Sequence, residues 1–155
     1  VHSREDYDAS LEFAFKYESD VIVEEFIKGR EFSVSVIDGK ALPVIEVVIK
    51  NGFFDYKAKY QAGMTEELCP APLSAELTGK VQRLAEKVAD ALMLDVYYRA
   101  DFMLDENDGV FYCLEANTLP GMTPTSFVPM AAKVEGSDFG EVCEKIIALS
   151  MEKYK

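Results

Sequence analysis

The strongest structural pattern in the chain is YRADFMLDENDGVFYCLEAN, residues 98–117. Apolar side chains recur at alternate positions on both sides of a polar run, residues 105–109, that ends in Asp-Gly. This alternation predicts two strands, residues 98–104 and 110–117, joined by a turn. The two strands are therefore expected to be antiparallel neighbours in one sheet.

Charged side chains share one face of these predicted strands. Successive side chains of a strand point to opposite faces, so Arg99 and Asp101 lie on the same face. If Leu104 pairs with Val110 across the turn, Arg99 lies opposite Glu115, and Asp101 lies diagonal to Glu115 at roughly 7 Å. One face would then gather two carboxylates and a guanidinium.

Asp101, Glu115 and Asn117 on this face form a set of hard oxygen donors. Such donors suit Mg²⁺ or Mn²⁺ rather than zinc. Mg²⁺ held by one or two carboxylates usually completes its shell with water and substrate phosphates, so the set predicts a nucleotide site. The alternative is a half-exposed sheet face on which Arg99 and Glu115 form an ordinary ion pair.

The rest of the sequence predicts an α+β domain. Ser3 is a good helix N-cap, and Asp38-Gly39 is a strong two-residue hairpin turn. Because neighbouring strands are mostly joined as hairpins, we expect a mainly antiparallel sheet with helices on one face. The other predicted elements are an opening helix after Ser3, an extended run at 21–27, a turn at 28–30, a strand around 32–36, a return strand at 41–49 with an edge or bulge at Pro43, helices at 75–94 and 138–153, and a loop at 118–129.

Two loops carry residues suited to a ligand. Residues 51–73 are rich in glycine, proline and polar residues, and aromatic residues alternate with lysines at 53–60, which is typical of a lid over an anion. A loop pinned to the core by its aromatic residues is the alternative. Residues 119–124 contain Gly121, which lets backbone N–H groups approach a ligand, although a plain turn fits them too.

Composition argues against several classes of protein. The chain has 28 acidic and 16 basic residues, and its net charge of -12 disfavours binding to nucleic acid or to an anionic membrane. One histidine, His2, and three widely spaced cysteines argue against histidine or cysteine catalysis, zinc sites and a disulfide framework. No apolar run is long enough to predict a transmembrane helix.

Four ordered blocks resemble the C-terminal part of the D-alanine–D-alanine ligase family, which belongs to the ATP-grasp carboxylate–amine ligases. The similarity extends over about residues 21–150. The blocks are VEEFIKGRE at 23–31, FFDYKAKY at 53–60, RAD at 99–101, and LEANTLPGMT at 114–123 followed by Ser126 and Pro129. The first block resembles the strand beside adenine, and the second resembles a mobile loop over the active site.

The resemblance implies a role for each matching residue near the reacting groups. Asp101, Glu115 and Asn117 would be ligands of two Mg²⁺ (or Mn²⁺) ions, with Glu115 bridging them. Arg99 and the Gly121 amide would hold the oxyanion of the tetrahedral intermediate. The substrate contacts would be Tyr60 near the first D-alanine, and Ser126 with the Phe127 amide at the carboxylate of the second.

The resemblance also implies a set of contacts to ATP. The lysine of the mobile loop, Lys59, would reach the phosphates. The remaining contacts would be Glu24 to the adenine amino group, the Glu25 carbonyl and the Ile27 amide to the ring edge, Phe26, Phe53 and Met103 as walls of the adenine pocket, and Glu31 to the ribose hydroxyls.

The implied reaction joins two D-alanines at the expense of ATP, through an acyl phosphate, for peptidoglycan precursor synthesis. A carboxylate is a poor acyl donor, and phosphorylation gives it a good leaving group without a side-chain nucleophile. Residues 1–155 would be the C-terminal ATP-grasp domain of a cytoplasmic enzyme. The N-terminal domain and the phosphate loop are missing from the sequence, so the isolated chain is expected to be inactive; a homodimeric parent is compatible with the resemblance.

Two alternatives remain open. A related ATP-grasp ligase that forms D-alanyl-D-lactate would use the same chemistry, although the loop ending Lys59-Tyr60 resembles dipeptide-forming members. A non-catalytic module that binds only a divalent cation would use the same carboxylates. Metal-dependent nucleotide binding would distinguish the ligase from that module.

Overall fold

The computed structural model describes Val1, residues 3–49 and residues 65–152. The predicted α+β class with an antiparallel sheet is confirmed, whereas the expected placement of the helices on one face is wrong, because helices cover both faces. In chain order the elements are α1 (Arg4–Ala14), β1 (Gly29–Ile37), β2 (Lys40–Ala41), β3 (Ile45–Ile49), β4 (Thr65–Leu68), α2 (Ala75–Leu92), β5 (Tyr97–Asp105), β6 (Phe111–Asn117), α3 (Phe127–Val134) and α4 (Phe139–Glu152).

The sheet is built around β1. The strand order is β4-β3-β1-β5-β6, every pairing is antiparallel, and the short β2 pairs with the end of β1. The alternation at residues 32–36 predicted a half-buried strand, but Ser33 and Ser35 are as fully buried as their apolar neighbours. Strand β1 is therefore covered on both faces, and its polar face carries two buried hydroxyl groups.

One face of the sheet packs against α2. The Ser74 hydroxyl caps this helix by accepting the Leu77 N–H, and the left-handed Met93 (φ 54°) ends it close to the predicted boundary. Val81 is buried against the apolar face of β1 and β5. The hydroxyl of Tyr98 donates to the Ala85 carbonyl at 2.9 Å, and burial raises the pKa of Tyr98 to about 12. The α2 layer is thus fixed to the sheet by apolar contacts and a buried hydrogen bond.

The opposite face carries α3 and α4 over part of its length. Val128 and Ala131 of α3 and Val142 of α4 are buried together with Ile37 and Ile45 of the sheet. The α4 helix fits the predicted segment 138–153, whereas α3 occupies a region whose first residues were predicted to be a loop. None of the helices in the described residues combines the length and apolar character needed to cross a bilayer.

Several local predictions have different outcomes. The hairpin turn is confirmed, because Asp38 and Gly39 both have positive φ angles (56° and 68°). Helix α1 begins after Ser3, whose hydroxyl accepts the Asp6 N–H, as predicted. The return strand is interrupted at residues 42–44, around Pro43. Two expectations are wrong: β1 already begins at Gly29 in the predicted turn, and β4 lies inside the predicted loop 51–73. The predicted extended run at residues 21–27 forms no strand of the sheet.

Gly29 is required by the close approach of β1 to β5. A Cβ atom at this position would overlap the backbone carbonyl of Leu104, which cannot move without disturbing the strand pairing. We expect Gly29→Ala to lower the free energy of unfolding by about 1–3 kcal/mol, as overpacking does. In the matched control Gly79→Ala the new Cβ meets only the end of the Arg83 side chain, so a helical alanine should be neutral or stabilising. Chemical denaturation of both variants measures the difference, and equal stabilities would contradict this account.

Candidate functional site

Arg99 and Asp101 form a buried ion pair on the polar face of β5. The guanidinium donates from Nε to Asp101 Oδ1 at 2.9 Å and from Nη2 to Oδ2 at 2.7 Å. Asp101 is 6% exposed, and Ser33 of β1 donates to its Oδ1 at 2.7 Å. The guanidinium also lies 5.3 Å from the centre of the Phe127 ring at the start of α3. Asp101 is therefore held from two strands, and Arg99 from both the sheet and a helix.

Glu115 lies directly opposite Asp101, which corrects the expected register. Leu104 pairs with Phe111 rather than with Val110, and a β-bulge between the Asp101 and Phe102 pairings leaves Leu114 without a partner in the ladder. The extra residue switches the alternation of β6, so that Phe111 faces the core while Glu115 shares the face of Asp101. The bulge brings the two carboxylates closer together than the diagonal placement that was predicted.

Glu115 is only loosely tied to the sheet. Its side chain is 57% exposed, and its Oε1 lies 3.9 Å from Arg99 Nη2. Arg99 is opposite Asn117 in the ladder, not opposite Glu115 as expected. Because the contact to Arg99 is long and exposed, the structural ion-pair alternative is weak, and the Glu115 carboxylate can turn toward a ligand.

The donor set fits a magnesium-type ion. No group of three or more His, Cys, Asp or Glu side chains suited to a metal ion occurs in residues 3–49 and 65–152, so a third protein donor near Asp101 and Glu115 would be the Asn117 amide oxygen. That oxygen accepts the Leu119 N–H at 3.0 Å and has a second lone pair. Oxygen donors of this kind, with one or two carboxylates, are typical of Mg²⁺ and Mn²⁺ sites.

The loop after β6 forms the other side of the site. The Ser126 hydroxyl, at the N-terminal end of α3, accepts the Thr123 N–H at 3.0 Å and shares a hydrogen bond with the Thr123 hydroxyl at 2.9 Å. A Cβ on Gly121 would lie 2.9 Å from Ser126 Oγ, so glycine allows this close packing. The first N–H groups of a helix lack intrahelical partners, which makes the Phe127 N–H a suitable donor for an anion. The Ser126 N–H, in contrast, already donates to the Thr123 carbonyl at 2.9 Å.

An open groove of about 620 Å³ connects these two sides. It brings together eight of the predicted site residues and adds five that the sequence reasoning missed. The predicted ones are Glu31, Arg99, Asp101, Glu115, Asn117, Gly121, Ser126 and Phe127. The added ones are Val47, Thr65, Glu67, Pro120 and Thr125.

The residues missed on β3 and β4 had a weak signal in the sequence. Val47 is opposite both Glu31 and Glu67 in the sheet, so these three lie on one face. Thr65 and Glu67 alternate with Glu66 and Leu68, but the segment was assigned to a long loop. A period-two pattern of only four residues is too short to distinguish from a polar loop.

Other predicted site residues lie elsewhere. The proposed adenine segment, Glu24, Glu25, Phe26 and Ile27, has no regular secondary structure and does not line the groove, and Phe26 is 81% exposed. Met103 is opposite Glu31 in the ladder but is not one of the lining residues. The remaining three predicted residues, Phe53, Lys59 and Tyr60, lie outside the described residues.

The sequence matches the family described as D-ala D-ala ligase C-terminus over residues 1–148. The chain belongs to this family. It is 48% identical over 148 residues to the D-alanine–D-alanine ligase of Syntrophotalea carbinolica, covering 96% of this chain and 48% of that protein. It is 42% identical to the ligase of Methylacidiphilum infernorum, covering all of this chain and 51% of that protein. The chain therefore spans about half the length of these curated relatives.

Solved structures of this ligase family have the same fold. The D-alanine–D-alanine ligase of Bacillus anthracis complexed with ATP superposes with a TM-score of 0.84 at 38% identity, covering 98% of this chain and 49% of that one. VanG, a D-Ala:D-Ser ligase of Enterococcus faecalis, superposes with a TM-score of 0.80 at 32% identity, covering 95% of this chain and 43% of that one. The predicted ATP-grasp fold is thereby confirmed.

Proposed function

We propose that residues 1–155 are the C-terminal ATP-grasp domain of an ATP-dependent D-alanine–D-alanine ligase that makes D-alanyl-D-alanine for peptidoglycan precursors. The observation that supports this most strongly is the direct opposition of Asp101 and Glu115 across the β-bulge, with Arg99 beside them. The N-terminal domain and the phosphate loop would belong to the rest of the parent protein. The isolated chain would then be inactive.

The proposed ligation needs ATP because the carboxylate of the first D-alanine must be activated before an amine can attack it. Oxide is too poor a leaving group for direct attack of an amine on a carboxylate. Transfer of the γ-phosphoryl group to the first D-alanine forms an acyl phosphate, and the amine of the second D-alanine then displaces phosphate. Most of the catalysis in such a reaction comes from positioning and charge stabilisation, which the fixed charges of this groove can supply.

Asp101, Glu115 and Asn117 would hold the divalent cations in this scheme. Mg²⁺ or Mn²⁺ would supply charge neutralisation at the transferring phosphoryl group. Buried Asp101 provides a fixed ligand, whereas exposed Glu115 can reach between two ions. The presence of two ions, like the homodimeric state and the cytoplasmic location of the parent, stays a prediction.

Arg99 and the Gly121 amide would stabilise the negative charge that grows on the acyl oxygen. Ser126 and the Phe127 amide, at the start of α3, would hold the carboxylate of the second D-alanine. The two hydrogen bonds between Thr123 and the Ser126 hydroxyl orient that hydroxyl and support this role. Arg99 packs over the Phe127 ring, so the oxyanion group and the carboxylate clamp would be held in one fixed arrangement.

Glu31 would bind the ribose of ATP from within the groove. The adenine contacts of Glu24, Glu25, Phe26 and Ile27 stay predictions, as do those of Met103, Phe53, Lys59 and Tyr60. The exposed Phe26 is consistent with a wall that a nucleotide covers.

A second candidate function differs from the first only in the identity of the second substrate. The similarity to a D-Ala:D-Ser ligase, together with the predicted D-lactate alternative, favours testing hydroxy acids and D-serine. The identity to two ligases of D-alanine, at 48% and 42%, supports D-alanine as the preferred substrate. Product analysis of the intact enzyme with D-alanine, D-serine and D-lactate in competition would identify the preference.

A calorimetric titration of the intact protein tests the nucleotide site. We expect ATP to bind much more tightly with Mg²⁺ than with EDTA, because the carboxylates repel the triphosphate until a cation bridges them. A module that binds only cations would take up Mn²⁺ and show no binding of ATP in either condition. That second outcome would contradict the proposed function.

A further inference from the structure

Ser33 makes the second anchor of the Asp101 carboxylate. The two residues are opposite each other in the β1–β5 ladder, and Ser33 Oγ donates to Asp101 Oδ1 at 2.7 Å. They are 1% and 6% exposed, so the hydrogen bond is shielded from water. Strand β1 is paired on both sides, with β3 and with β5, which fixes the backbone that carries the hydroxyl.

We propose that Ser33 is a positioning residue that orients Asp101 for binding the divalent cation. The inference rests on the proposed function, which makes Asp101 a metal ligand. When a carboxylate binds a metal ion through one lone pair, a hydrogen-bond donor at another lone pair fixes the orientation of the carboxylate plane. Partners of this kind typically change metal affinity by 10–100-fold when they are removed.

Ser33 is uncharged, and this distinguishes its role from that of Arg99. Arg99 also donates to both oxygens of Asp101, but it is a cation, and a divalent cation at the same carboxylate would repel it. The Ser33 hydroxyl experiences no such repulsion. Ser33 is therefore the uncharged anchor of Asp101, and a bound cation does not oppose its hydrogen bond.

Ser35 offers a matched control on the same strand. It lies two residues further along β1, on the same face, and is 1% exposed like Ser33. Its hydroxyl has no hydrogen-bond partner among the described residues. Removing either hydroxyl changes the volume of a buried serine equally, but only Ser33→Ala removes a hydrogen bond to Asp101.

The test is a titration of the intact enzyme with Mn²⁺, in which electron paramagnetic resonance measures the free ion. We expect Ser33→Ala to raise the dissociation constant about tenfold, Ser35→Ala to leave it unchanged, and Ser33→Thr, which keeps the hydroxyl, to restore it. The Mg²⁺ concentration for half-maximal velocity should rise in parallel, with a smaller change in kcat at saturating Mg²⁺. If Ser33→Ala does not fold, Ser33→Cys keeps the volume with a weaker donor and should show the same direction of change.

Two results would overturn the inference. Equal Mn²⁺ affinity in Ser33→Ala and Ser35→Ala, with the wild type binding normally, would show that Ser33 does not orient the ligand. A loss of affinity that Ser33→Thr does not restore, accompanied by a lower melting temperature, would show a purely structural effect. A wild-type enzyme that binds neither Mn²⁺ nor Mg²⁺-dependent ATP would instead contradict the proposed function itself.

Discussion

Replacing Arg99 by lysine in the intact enzyme is expected to lower kcat by roughly 10²–10³-fold, the typical effect of losing one donor to a developing oxyanion. Lysine keeps the positive charge next to Asp101 but lacks the planar fork that donates to two acceptors at once. The Arg99 side chain is only 16% exposed and its guanidinium packs over the Phe127 ring, a planar contact that lysine cannot reproduce. The KM for ATP should change little, because the acyl oxygen gains its charge only after ATP is bound.

The stability of the same variant distinguishes catalysis from structure. Among the described residues Arg99 bonds mainly to Asp101, two residues away on the same strand, and it reaches another strand only through the long contact to Glu115. We therefore expect a loss of at most about 1 kcal/mol, the value of an ordinary cross-strand pair. Arg83→Lys, on the exposed side of α2, is the control. A large fall in melting temperature with unchanged kcat would identify Arg99 as a structural residue.

Replacing Glu115 by glutamine is expected to weaken Mg²⁺-dependent binding of ATP by at least about tenfold, or ~1.4 kcal/mol. The change keeps the shape and one carbonyl oxygen but removes the negative charge that a bridging ligand needs. The Glu115 side chain is exposed, and the ion pair that it forms with a described residue is the long 3.9 Å contact to Arg99, so folding should not suffer. Calorimetric titration with ATP, with and without Mg²⁺, measures the effect.

Glu144→Gln provides the charge-matched control for this experiment. Glu144 is an exposed carboxylate on α4 and does not line the groove. Both variants change the net charge by one unit, so any general electrostatic effect on ATP binding is common to both. Equal ATP affinities in Glu115→Gln and the wild type would remove Glu115 from the metal site.

Local signals in the sequence were sufficient for the first helix cap and the first hairpin. Ser3 caps the first helix as predicted, because the cap depends only on a hydroxyl and a free N–H a few residues apart. Asp38-Gly39 is likewise a turn whose backbone needs positive φ angles at both positions. Such features depend on neighbours along the chain and can be recognised without knowledge of the fold.

The register of β5 and β6 could not be predicted in the same way. Tyr112, Leu114 and Ala116 alternate regularly and suggested an uninterrupted ladder, yet the bulge leaves Leu114 unpaired and 45% exposed. Which residue is extra depends on the pairing of both strands together. Asp101 and Glu115 were predicted correctly to be neighbours on one face, but their direct opposition follows only from the bulge.

Helix α3 and the burial of Ser33 were both missed, for different reasons. Pro129 suggested a loop, but it is the third residue of α3, in the first turn, where a missing N–H breaks no helical hydrogen bond. Ser33 lies in a strand that was predicted to be half-buried, yet it is 1% exposed and donates a hydrogen bond to Asp101 on the next strand. Ser33 and Asp101 are 68 positions apart in the sequence, so the alternation of residues in β1 alone could not reveal their hydrogen bond.

Isotope transfer tests the central claim, that this groove belongs to a ligase that activates a carboxylate by phosphorylation. The intact enzyme would be supplied with ATP, Mg²⁺ and D-alanine labelled with ¹⁸O in its carboxylate, and the released phosphate would be analysed by mass spectrometry. An acyl phosphate transfers one carboxylate oxygen to phosphate each time a dipeptide forms, so we predict one ¹⁸O atom per phosphate. Dipeptide formation that releases unlabelled phosphate would contradict the account.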